Sequence, residues 1–213
     1  MPRHRPPTAH APARPVRPRP RLLQPCLAGV GVDFGEQPRL IIVTGVPGSG
    51  KTSVARALAA MFPRSAHVEA DALRETIREG RVNPGGSPDD EAERQLSLLT
   101  RMTAALGNEL FAEGFTVIVD DVVVTRGRLD DYLRALRGSP LHYVLLAPPR
   151  SVVLERDRLR PEKQVAEQYL WLYDLMEAEC LGLGLDLDTS DWDEAETAAA
   201  IHTAVIDGQG VVR

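Results

Sequence analysis

The sequence predicts an α/β fold, a three-layer sandwich with a five-stranded parallel sheet and helices on both faces. Three observations lead there. Short apolar runs rich in β-branched residues alternate with longer stretches of helical periodicity. These runs are apolar throughout, the pattern of strands covered on both sides. The first of them, Leu40-Ile41-Ile42-Val43, ends in a glycine-rich loop that opens into a helix.

After that strand, a helix is expected from about Lys51 to Phe62, with Val54, Leu58 and Met61 facing inward. Ala66 to Ala70 reads as a weaker second strand. Ala72 to Glu79 reads as a helix ended by Gly80, and Val82 to Pro88 is a loop by composition. Pro88 opens a long helix to about Glu113, with Gly114 as its cap. Phe115 to Asp120 is the third strand, followed by a helix over about Arg126 to Arg137. Leu141 to Ala147 is the fourth strand, with a helix from Ser151 to Arg160. Pro161 interrupts that helix, which resumes from Glu162 to Glu179. Leu183 to Leu187 gives the fifth strand, and Trp192 to Val205 the closing helix.

Composition narrows the function classes. The chain has 213 residues, is 43% hydrophobic and 26% charged, and suits one globular domain. No apolar run reaches the ~20 residues needed to span a bilayer. The N-terminus lacks the apolar segment of a secretory signal. Cys26 and Cys180 stand far apart and supply neither a disulfide framework nor a metal site, so a cytoplasmic location is expected. Residues 1–36 form a Pro/Arg-rich tail, expected to be disordered because its prolines forbid a helix. The domain is expected over residues 37–213. Six arginines and no acidic residue in positions 1–32 contribute +6, so the net −5 leaves −11 for the remainder. An acidic body with 5% aromatic residues argues against a nucleic-acid groove. Nothing in the pattern speaks to oligomeric state.

Gly45-Val46-Pro47-Gly48-Ser49-Gly50-Lys51-Thr52 satisfies the Walker A spacing in full, between a buried strand and a helix. The glycines let successive backbone N–H groups converge on phosphates, and the helix N-terminus, continuing with Ser53, adds its positive dipole. Lys51 is placed for the β- and γ-phosphates, and Thr52 for Mg²⁺. The fold is therefore expected to be a P-loop NTPase sandwich binding ATP and Mg²⁺. Asp120 and Asp121 close the third strand, where a carboxylate can hold the metal or its waters. Asp120 is favoured because it directly follows Val117-Ile118-Val119, with a polar strand terminus as the plain alternative. No Asn-Lys-x-Asp guanine motif and no Leu-Ser-Gly-Gly-Gln transporter signature occurs. The body is also short for a ring ATPase with a helical lid domain.

With those motifs, the chain over about residues 39–207 resembles the P-loop small-molecule kinases close to chloramphenicol phosphotransferase, with shikimate and gluconate kinases as more distant relatives. The third strand with its paired aspartates, residues 115–122, looks like that family's. So does Leu185-Asp186-Leu187-Asp188-Thr189-Ser190, where the resemblance implies a loop closing over adenine and places Thr189 at the nucleotide. It implies an ATP-dependent phosphotransferase acting on a hydroxyl of a small molecule, antibiotics included. Asp71 matches the family's carboxylate that approaches the acceptor hydroxyl. An alcohol is a poor nucleophile at neutral pH, and a carboxylate can orient it and take its proton. The alternative for Asp71 is an N-cap of the following helix.

Arg74, three residues on, and Asp121 are further candidates on the substrate side. Asp71-x-x-Arg74 also occurs in polynucleotide 5′-kinases, which makes an end kinase the first competing function. A nucleotide-dependent regulatory ATPase is the second. Arg156 and Arg160 share a helix face. In the family, arginines of this region form a lid over the phosphates and stabilise the transferring group. Pairing with Glu155, Asp157 and Glu162 is the alternative.

Overall fold

The computed structural model describes residues 37–85, 89–159 and 165–213. The tail of residues 1–36, Pro88, Arg160 and the resumption of a helix at Glu162 lie outside them. The sheet holds β1 (Leu40–Thr44), β2 (Ser65–Glu69), β3 (Thr116–Asp120), β4 (Leu141–Leu146) and β5 (Leu185–Leu187) in the order β2-β3-β1-β4-β5. Every neighbouring pair is parallel. Among the described residues seven α-helices accompany it: α1 (Lys51–Ala59), α2 (Ala70–Arg74), α3 (Asp90–Ala112), α4 (Arg126–Ala135), α5 (Arg150–Arg158), α6 (Trp171–Glu179) and α7 (Glu194–Ile206).

The pleat sends alternate residues of β1 to opposite faces. Ile41 and Val43 join Leu58 of α1 and Ile201 and Val205 of α7 in one core. Leu40 and Ile42 enter the other, with Ala104 of α3, Tyr132 of α4 and Met176 of α6. All five β1 residues are buried, as the unbroken apolar run requires. No helix among the described residues is long and apolar enough to cross a membrane.

Several boundaries differ from the sequence expectation, each for a local reason. α1 stops at Ala59, and Ser65 Oγ donates to the Ala59 carbonyl at 2.5 Å. Met61 is consequently 41% exposed, and Phe62, at 6%, takes its place in the core. α2 ends at Arg74, well before Glu79, because Thr76 Oγ1 takes the Leu73 carbonyl at 2.6 Å. Its N-cap is Glu69, which leaves Asp71 inside the first turn instead of capping it. α3 is capped by Asp89, whose carboxylate accepts from Glu91 N and Ala92 N. At its other end Gly114 adopts φ +82°, and its N–H and that of Phe115 close on the carbonyls of Phe111 and Leu110.

β5 is shorter than predicted, and the lower half of β4 pairs with the chain's last residues instead. Tyr143 N donates to Gly210 O, Leu141 N to Arg213 O and Val212 N to Leu141 O. His142 lies under this cover, 1% exposed, with Nδ1 2.7 Å from Gln209 O and Nε2 buried without a partner. Burial holds its pKa below the ordinary 6.5, against the Gln209 hydrogen bond. The folded chain therefore resists protonation where the unfolded chain accepts it. Stability from this group is complete above pH 6.5 and is lost as pH falls below it, with a slope bounded by about 1.4 kcal/mol per pH unit. In denaturant titrations between pH 8 and 5, the parent is expected to weaken more steeply than His142→Gln. Parallel curves would remove His142 as the cause.

Candidate active site

The loop of residues 45–52 connects β1 to α1. It turns on a hydrogen bond from Ser49 N to Val46 O, and the helix starts with Val54 N on Gly50 O. Gly48 has φ +95°, and a Cβ there would stand 2.8 Å from Val153 Cγ1 of α5. α1 has no side-chain N-cap and no acidic residue in its first turn. Its leading N–H groups and dipole thus face the loop's concavity uncompensated by protein charge, the arrangement that receives a phosphate. Ser53 is exposed in that first turn, and Ser49 is buried beneath the loop.

Thr44, at the end of β1, accepts from Val123 N at 2.7 Å, which ties the loop's root to the exit of β3. In the sheet register Asp120 sits beside Val43 on one side and Glu69 on the other. A cleft at this carboxyl edge is lined by Lys51, Thr52, Glu69, Asp71, Asp120, Asp121 and Val122. The edge is where a β1 flanked by β3 and β4 creates the switch point of an open α/β sheet.

The two aspartates ending β3 have different surroundings. Asp120 is 2% exposed, and neither carboxylate oxygen has a hydrogen-bond partner among the described residues. His67 Nε2 lies 3.6 Å from its Oδ2. A buried carboxylate left this way suits a cation. With Thr52 lining the same cleft, the pair would suit Mg²⁺. Among the described residues no group of three or more His, Cys, Asp or Glu side chains could hold a metal ion. Asp121 by contrast is fully engaged. Its Oδ1 accepts from Val122 N at 2.8 Å, and its Oδ2 from Arg128 at 2.9 Å and Tyr132 at 2.7 Å.

The arginines are placed away from the cleft lining. Arg74 donates to Val82 O and Asn83 Oδ1, both at 3.0 Å, and so pins the loop that follows α2. That loop is also held by Gln95 of α3, which accepts from Val82 N and donates to Gly80 O. Arg78 and Arg81 fall beyond the end of α2 and do not continue a helix face. Arg156 lies between the phosphate loop and the turn after β5. It donates to Thr189 Oγ1 at 3.1 Å and to the carbonyls of Thr189, Ser190, Trp192 and Ser49. Arg156 and Thr189 are thus brought together at the loop's outer flank. Asp157 of α5 is buried, and its Oδ2 accepts from Ala166 N. Arg160 lies outside the described residues.

Glu69 escaped the sequence reading. Treating the second strand as running to Ala70 placed Glu69 inside it, whereas the strand ends at Glu69 and delivers its carboxylate to the cleft. The signal was its position two residues before Asp71.

A phosphate loop on this strand order, with its carboxylate on the strand beside it, defines a nucleotide-binding P-loop NTPase with the kinase-type sheet. The chain belongs to the AAA domain family, which matches residues 40–170. Three solved structures show the same fold. A tunicamycin resistance protein from Deinococcus radiodurans is 22% identical at a TM-score of 0.56, over 84% of this chain and 99% of that one. A gluconokinase from Sinorhizobium meliloti is 23% identical at 0.54, covering 81% and 98%. A shikimate kinase from Acinetobacter baumannii is 20% identical at 0.53, covering 82% and 96%. No curated protein matches the sequence.

Proposed function

We propose that residues 37–213 form an ATP-dependent phosphotransferase that phosphorylates a hydroxyl group of a small molecule. The observation that carries this reading is the convergence of Lys51, Thr52, Asp71 and Asp120 on one cleft at the sheet's carboxyl edge. A regulatory ATPase needs the first two and the metal carboxylate. It has no need of a second carboxylate such as Asp71, on a separate element, facing the same space.

In this reading residues 45–52 bind the phosphates through backbone N–H groups, and Lys51 reaches the β- and γ-phosphates. Thr52 and Asp120 would hold Mg²⁺, with Glu69 beside them on the same cleft. The metal would neutralise charge on the phosphate oxygens during transfer. Asp71 orients the acceptor hydroxyl and takes its proton as the oxygen attacks the γ-phosphorus, whose bond to the β,γ-bridging oxygen breaks and releases ADP. Arg156 joins the turn at Thr189 to the phosphate loop and so shapes the nucleotide's base end. The loop pinned by Arg74 and Gln95 forms one wall for the acceptor. The solved tunicamycin resistance protein of like fold makes antibiotics a fair part of the acceptor set to try.

The test is turnover of Mg·ATP by the full chain against hydroxylated acceptors, with product mass as readout. The set comprises tunicamycin- and chloramphenicol-like antibiotics, aminoglycosides, sugars, gluconate, shikimate, nucleosides and a 5′-hydroxyl oligonucleotide. Gain of one phosphate by a small acceptor is the expected result. Phosphorylation of the oligonucleotide alone would make the protein an end kinase. Hydrolysis indifferent to every acceptor would favour the regulatory ATPase.

A further inference from the structure

Asp121, Arg128 and Tyr132 form a buried polar network beside the cleft. The side chains of Asp121 and Arg128 are 8% and 12% exposed, and Tyr132 is fully buried. Arg128 uses one arm on Asp121. With the other it donates to Leu96 O at 2.8 Å and Thr100 Oγ1 at 2.7 Å, both on α3. Tyr132 completes the cluster from one turn further along α4. Burial, and then the adjacent Asp121 carboxylate, raise the Tyr132 phenol well above its usual range, so it stays a donor.

Such a buried pair is a poor way to gain stability, because desolvation offsets most of the attraction and an apolar replacement often does as well. What it does supply is geometry. Asp121 is fixed by three donors, one from the backbone and two from α4, with Arg128 in turn anchored on α3, and its neighbour in the chain is Asp120, whose own oxygens have no such support. Pinning one residue of a strand tip sets the backbone direction of the residue before it.

We infer that Arg128 and Tyr132 are positioning residues for the metal site: by clamping Asp121 to α3 and α4 they aim the Asp120 carboxylate at the ion opposite Thr52. Asp121 then acts through Asp120 and touches neither metal nor acceptor. The inference rests on the proposed metal role of Asp120. Partners of this indirect kind change metal affinity by roughly 10–100-fold when removed.

The test uses the full chain and fluorescent ADP, with affinity measured without metal and Mg²⁺ affinity measured on the ADP complex. Arg128→Met is expected to weaken Mg²⁺ affinity about tenfold while metal-free ADP binding stays within about twofold. Its lone buried carboxylate should also lower the melting temperature. Asp121→Asn combined with Arg128→Met removes both charges and is expected to recover the melting temperature but not the Mg²⁺ affinity. Should Arg128→Met fail to fold, Tyr132→Phe deletes one hydrogen bond and is expected to weaken Mg²⁺ about threefold, toward the lower end of such effects. Unchanged Mg²⁺ affinity in a folded variant would overturn the inference. So would its recovery together with melting temperature in the double variant. Asp120→Asn separates the two levels. If it keeps parental Mg²⁺ affinity, the metal reading itself fails. If it loses that affinity while the Arg128 and Tyr132 variants keep theirs, only the positioning role fails.

Discussion

Asp71→Asn is expected to lower phosphoryl transfer to the acceptor about 10²–10⁴-fold, the usual worth of a positioned proton acceptor. That corresponds to about 3–5 kcal/mol of barrier. The asparagine keeps size and hydrogen-bonding shape but cannot take the hydroxyl proton. The nucleotide site is built by residues 45–52, so ATP affinity should stay within about twofold. Asp71 is exposed in the first turn of a five-residue helix, and the melting temperature of the variant separates lost chemistry from lost folding. The checks are product formation by mass and ATP binding by fluorescence, run on the same preparations. Transfer at the parental rate would remove Asp71 as the base. A parental rate of acceptor-independent hydrolysis, with no transfer in either protein, would point to a switch.

How much of this was legible in the sequence depended on where each structural decision is made. β1, β3 and β4 are decided locally. Their apolar runs admit few other fates, and each lies within one residue of its expected bounds. The phosphate loop was legible for the same reason, since its spacing is its geometry. β5 was misjudged because distant residues decide it, and α2 because Thr76 ends it locally and distant residues then hold the chain that follows. Arg74 and Gln95 hold residues 80–83 as an open loop, and the last residues of the chain occupy the half of β4 that a longer β5 would have paired. In the site, Asp120 was favoured over Asp121 by its place at the end of the apolar run, but what holds Asp121 was not visible. Their difference lies in Arg128 and Tyr132, seven and eleven residues away from Asp121. Arg156 was placed on the correct helix. Its engagement with Thr189 spans 33 residues of chain, which spacing alone does not reveal.

Gly48→Ala is the second substitution expected to have a large effect, and the reason lies in α5. At φ +95° an L-residue is strained by about 1–3 kcal/mol. The new Cβ would also stand 2.8 Å from Val153 Cγ1 and 3.0 Å from Val153 O, so either the loop or the helix must move. α5 has little freedom to do so. Val153 is 1% exposed, and Arg156, one turn on, donates to the carbonyls of both Ser49 and Thr189. The loop therefore yields, and N–H groups that converged on phosphate are turned aside. If about 2 kcal/mol of that strain is felt in the bound state, nucleotide affinity falls roughly 30-fold. Gly114→Ala supplies the contrast. Its φ is also positive, at +82°, but a Cβ there meets nothing within 4 Å. It is expected to cost about 1 kcal/mol of stability at the end of α3 and to leave nucleotide affinity unchanged. Matched losses of melting temperature, with parental ADP affinity in both variants, would show that α5 gives way and that the loop tolerates the contact.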